Sequence, residues 1–162
     1  MTAKDVIKYV IKQCRFITRE YINDLSDADL LVRPTPGANH IAWQLGHLLA
    51  ADGFMLSALG CPAAPLPDGF EAAYATETAT SDDPRKFHQK AEYLALMERT
   101  EAAALAAVDA LPDADLDKPG PDSMKDYAPT RGAVLALIGT HWMMHAGQFV
   151  PVRRKLGRKP LF

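Results

Sequence analysis

The sequence predicts an all-α fold of four long helices, and three observations carry that reading. Apolar residues recur at three- and four-residue spacing over long stretches, nothing alternates with the two-residue period of a strand, and most prolines and glycines fall between those stretches. Four helices of about 20 to 27 residues reach about 30 to 40 Å each, the dimensions of a four-helix bundle. The 162 residues are enough for one domain, spanning 1–162, with a full core of its own.

Each element has its own justification. Ile7, Val10, Cys14, Ile17, Tyr21 and Leu25 trace the stripe of a first helix over about 3–25. Ser26, followed by Asp27 and Asp29, suggests a short helical turn, which Pro34, Pro36 and Gly37 end before a second helix. That helix is capped near Asn39 and runs to about Leu59; it is apolar almost all round, so it should be buried on most sides. The stretch from Gly60 to Thr80 is a long irregular connection, read as a lid, a pocket wall or a plain crossover. Ser81 or Asp82 caps a third helix with Pro84 near its first turn, and Phe87, Ala91, Leu94, Met97, Leu105, Val108 and Leu111 give it a core face. A second irregular stretch occupies 112–129. Thr130 caps the fourth helix, Pro151 lies inside it and should kink it, and Gly157 ends it.

Composition excludes several functions. Eighteen basic against twenty acidic side chains, a formal net charge of -2, leave no excess of cations for phosphates, so nucleic acid is not an expected partner. The Arg153–Lys159 cluster reads as a solvated helix end. No stretch approaches the roughly 20 apolar residues of a membrane span, and the chain is expected to be soluble, cytoplasmic and free of membrane partners. Cys14 reads as core and Cys61 as incidental; they form no disulfide framework or metal spacing.

The chemistry is carried by histidines. His141 and His145 stand four apart in the apolar run GAVLALIGTHWMMHAGQFV, which stacks both imidazoles on one helix face. Leu135, Ile138, Trp142 and Phe149 surround them, and an apolar interior accepts imidazoles only when their nitrogens have partners. A catalytic site of the zinc type usually takes three protein ligands. His47, inside the apolar second helix, is the expected third. His40 lies seven residues earlier, about 10.5 Å along the axis, and belongs at a pocket mouth or at the helix N-terminus. His88, among Lys86, Gln89 and Lys90, reads as a solvated helix surface.

Other metal bundles fit poorly. There is no Glu-x-x-His motif of the di-iron carboxylate class, and Trp142 stands where a metalloprotease helix has glutamate. Nothing beyond the histidines themselves supports haem. Gln44, one turn before His47, and Gln148, three residues after His145, are candidates to orient a ligand histidine, a water or a substrate; the plain alternative is that each satisfies a neighbouring backbone. No carboxylate has a spacing that places it with the histidines, so no general base or other catalytic residue is named. Because histidine coordinates only when neutral, metal affinity is expected to fall as pH drops through about 6.5.

The segments NHIAWQLGHLL, HWMMHAGQF and RRKLGRKPLF, with the order of helices and loops around them, resemble the DinB-like (DinB/YfiT-like) metalloenzyme family over nearly the whole chain. The resemblance implies a four-helix bundle of the DinB/YfiT-like type with a mirror-type helix arrangement, often dimeric. It also implies a divalent metal, zinc or nickel, bound by His47, His141 and His145. Relatives include thiol-dependent transferases and isomerases that use low-molecular-weight thiols such as bacillithiol or mycothiol, and the family name does not imply DNA binding. The expectation is therefore a metal-dependent enzyme, a homodimer, that activates a thiol or water toward a small-molecule electrophile. The alternative is a non-catalytic, stress-related metal-binding protein.

Overall fold

Capping chemistry sets where the helices begin. In the computed structural model, which describes residues 1–159, 161 and 162, Thr2 and Asp5 exchange side-chain-to-backbone hydrogen bonds that open α1 (Ala3–Asn23). Ser26 and Asp29 repeat the device on the short α2 (Asp27–Leu30), the turn the sequence predicts. α3 (Ile41–Ala58) is capped by His40, one residue beyond the expected Asn39: its Nδ1 accepts from the Trp43 N–H at 3.0 Å. α4 (Phe70–Ala73) is one turn long, α5 (Lys90–Ala110) opens on a Gln89–Glu92 cap, and Thr130 caps α6 (Arg131–Lys155). Gly157, at φ +70°, ends α6 in the left-handed conformation. Pro151 lies inside it. The described residues hold no β-strand, and none of their helices is long and apolar enough to cross a membrane.

The four long helices pack on one another. α6 lies along α1, α3 touches both α5 and α6, and α1 also meets α5. α3 is buried on most sides, as its composition predicts; Ile41 to Gly46, Leu48, Leu49, Asp52, Met55 and Leu56 are all inside. Trp142, Phe149 and Val152 of α6 pack with α3 around Trp43, Leu45 and Leu48, and Val134, Leu135 and Ile138 pack with Ile11, Leu56 and Val108 in a second cluster. Two buried faces thus bring His47 and the His141/His145 pair together.

Four sequence expectations change, one of them the core face of α5, where Ala91 is exposed and Leu94 and Leu105 are only partly covered while Tyr93, Leu96, Thr100, Ala104 and Ala107 are buried. The buried stripe of α1 is Ile7, Ile11, Cys14, Arg15, Thr18 and Ile22, whereas Val10, Ile17 and Tyr21 are only partly covered. Hydropathy alone passes over Arg15 and Thr18, yet both have internal partners. The third long helix starts at Lys90 rather than Ser81 or Asp82. Residues Pro84–Lys86 form a single 3-10 turn capped by Asp83, and Phe87 is extended at φ -121°, ψ 149°, which breaks the helical path before the Gln89 cap restarts it. The 60–80 segment is no lid over the histidines. Phe70 and Tyr74 enter the core instead, and the Tyr74 ring occupies the space a Gly46 Cβ would need, 2.1 Å from that position.

Candidate metal centre

His47, His141 and His145 come together. Their ring nitrogens include a set lying within 4.8 Å of one another, a group able to hold a metal ion. Ring centroids are 5.3 Å apart for His47 with either partner and 4.9 Å for the α6 pair. No cysteine, aspartate or glutamate of the described residues joins the group. Three neutral nitrogen donors with no protein group to close the sphere match an open site, so the residues fit a divalent ion.

Two of the three rings are held from outside. The Nδ1 of His145 lies 2.8 Å from Gln44 Oε1, while Gln44 Nε2 donates to the Asn39 carbonyl at 2.9 Å. The second bond fixes the amide, so Oε1 accepts and His145 carries its proton on Nδ1. Its Nε2 is left as the free lone pair. His47 stacks on Trp43 with centroids 5.0 Å apart and planes 9° from parallel. The indole N–H of Trp43 in turn donates to Thr78 Oγ1 at 3.1 Å and lies 3.3 Å from the Ala75 carbonyl. The 60–80 segment therefore acts on the centre indirectly, by seating the Trp43 indole.

Burial keeps the three imidazoles neutral. Desolvation lowers the His47 value, and for His141 and His145 it combines with the neighbouring imidazoles to bring both down to about 4. For His141 the Arg15 guanidinium acts in the same direction. That guanidinium lies 3.5 Å over the Trp142 ring and pairs with Asp52, whose carboxylate also accepts from the Trp142 indole N–H at 3.1 Å. Burial pushes the Asp52 carboxyl up and the Arg15 guanidinium down, and their pairing opposes both shifts. Asp52 is thus committed to Arg15 and Trp142, although it shares α3 with His47.

The remaining candidates separate. Gln44 reaches the centre, whereas Gln148 is exposed and has no hydrogen bond to the three histidines. His40 is fully buried at the α3 N-terminus, with Nε2 3.1 Å from the Ser81 carbonyl. His88 is not on a solvated helix surface. It precedes α5, half-buried, with Nδ1 2.6 Å from the Tyr74 hydroxyl, which itself lies 2.6 Å from that of Tyr93. The lysines around His88 hide this in the sequence, and Tyr74, whose hydroxyl draws the ring inward, is 14 residues away. Arg15 and Asp52 also went unread. Their only signal was a charge set inside an otherwise apolar helical face.

An open cleft of about 350 Å³ has His47 and His141 in its wall and the loop residues Met124 and Tyr127 at its side. Part of the 112–129 stretch therefore reaches the centre. A larger cleft of about 450 Å³ beside Gly53 and Ser57 contains no histidine or cysteine and lies away from this chemistry.

Residues 11–149 match the family model described as the DinB superfamily. No curated protein sequence matches the chain. Among solved structures, the fold is similar to a crystal structure described as a conserved protein from Enterococcus faecalis, with TM-score 0.71 and 18% identity, covering 98% of this chain and 99% of that one.

Proposed function

We propose, from the premise that this chain belongs to the DinB superfamily, that it is a divalent-metal-dependent enzyme that transfers a small thiol to an electrophile. In this reading His47, His141 and His145 hold the ion, zinc or nickel, and the four long helices form a DinB-type four-helix bundle. The bundle is one domain that works as a cytoplasmic homodimer. The observation that carries the reading is the Gln44–His145 hydrogen bond, which leaves Nε2 of His145 free beside two further imidazoles. When bound, the ion supplies a Lewis acid that keeps a thiolate available near neutral pH.

The chain's own residues do the rest. Burial holds the imidazoles neutral, so they present lone pairs rather than protons. Gln44 and Trp43 fix two of the rings, which removes the cost of ordering them as the site fills. No carboxylate of the described residues joins the cluster, so the thiol proton passes to water at the open mouth. The sulfur electron pair then forms the bond to the electrophile, and the leaving group departs with its own bonding pair. The test is conjugation of cellular thiols to a model electrophile by zinc- and nickel-loaded protein, with His145→Ala for comparison. Turnover no faster than the metal-free background would replace the enzyme with a metal-binding protein.

A further inference from the structure

The cleft beside the histidines is built from two helical stripes. Phe54 and Met55 follow His47 by two turns on α3, and Leu137 and Met144 flank His141 on α6. Met124 and Tyr127 complete the wall. Among the described residues no lysine, arginine, aspartate or glutamate lines it; the polar side chains available are the imidazoles and the Tyr127 hydroxyl. Around the mouth, Phe54, Tyr127 and Met144 remain 55%, 63% and 60% exposed, an unusual loss for three large apolar side chains in one place. The volume, about 350 Å³, is that of a small-molecule site.

We infer that this cleft takes the body of an uncharged, apolar small molecule whose one polar end points to the histidines. The inference rests on the metal-centre reading only for that polar end. In the metal-free cleft a carboxylate or phosphate would lose water and gain no cation, so there anionic ligands are selected against. An apolar body would instead cover the exposed Phe54, Tyr127 and Met144 side chains and displace water from the cleft. The methionines adapt their shape to the ligand, which favours a class of related apolar molecules over a single one.

The test uses the full-length, metal-free chain with its methionine methyls labelled for NMR, titrated with 2-phenylethanol and with its anionic counterpart phenylacetate. We expect 2-phenylethanol to shift Met55, Met124 and Met144 saturably, to leave the core residue Met97 unmoved, and to bind at least tenfold tighter than phenylacetate. Met144→Lys, a change at an exposed position, should narrow or reverse that preference. Equal affinity for the two probes, or shifts that spare the three cleft methionines, would overturn the inference. So would shifts of the same methyls that follow protein concentration without ligand, because a second copy would then cover the cleft. Nickel-loaded protein with 2-phenylethanethiol separates this inference from the metal reading. Methyl shifts without a sulfur-to-nickel absorption band would keep the cleft and remove the metal centre, whereas a band without the shifts would do the reverse.

Discussion

Gln44 on α3 accepts a hydrogen bond from Nδ1 of His145 on α6 at 2.8 Å, and its own amide nitrogen is occupied by the Asn39 carbonyl. One side chain therefore sets the tautomer and the orientation of a histidine 101 residues away. Outer partners of this kind typically carry about 10- to 100-fold in metal affinity. Gln44→Ala should weaken zinc binding by that order in a chelator competition, with helical circular dichroism unchanged. Gln44→Glu, which can still accept from Nδ1, should retain most of the affinity.

The histidines give a pH signature. In the metal-free fold His141 and His145 are brought down to about 4, below their unfolded value of 6.5. Between those values the unfolded chain binds more protons, so stability should be complete above about pH 6.5 and fall as pH drops toward about 4. Asp24, held low by its hydrogen bonds to Arg153, has the same sign in a more acidic window: its contribution is present above the ordinary carboxylate range and is lost only at lower pH. Histidine NMR titration checks the order. Midpoints near 6.5 for both α6 histidines would show that burial does not keep them neutral. The same shift moves proton competition for the metal below the 6.5 expected from unperturbed histidine.

The buried Arg15–Asp52 pair should be costly to halve. Asp52→Ala leaves a guanidinium without its counter-ion and the Trp142 N–H without an acceptor, a change of about 3–5 kcal/mol in unfolding free energy by urea titration. Replacing both partners, Arg15→Met with Asp52→Leu, should recover much of the loss. A single change as mild as a surface mutation would mean that water reaches the pair.

Gly46 and Gly53 lie on the same helix and should respond with opposite signs. A Cβ at Gly46 meets the Tyr74 ring at 2.1 Å, and Tyr74 is buried with its hydroxyl bound to Tyr93, so Gly46→Ala should destabilise by about 1–3 kcal/mol. Nothing lies within 4 Å of a Cβ at Gly53, so Gly53→Ala should stabilise by up to about 1 kcal/mol through helix propensity. Thermal melting of the two variants against the parent checks both.

What was legible in the sequence follows from the range of the forces involved. Helix periodicity, the Ser26 and Thr130 caps and the Gly157 stop are local, so the four long helices and most of their ends could be read directly. The His-x-x-x-His spacing is local too, and a third histidine inside an almost wholly apolar helix pointed to His47. Long-range polar pairing left no such trace. Arg15 with Asp52, and His88 with Tyr74, are each joined by tertiary geometry alone. Gln44 and Gln148 looked equivalent by spacing, and only the packing of α3 on α6 separates them.

His47, His141 and His145 are positioned to act as one metal centre. Its most direct test is the metal content of full-length protein purified without a histidine tag and equilibrated with zinc. About one ion per chain is expected, falling below a tenth of that in His47→Ala, His141→Ala and His145→Ala alike, and unchanged in His88→Ala and Gln148→Ala. Full occupancy in any of the three ligand variants, or an equal loss in His88→Ala, would contradict it.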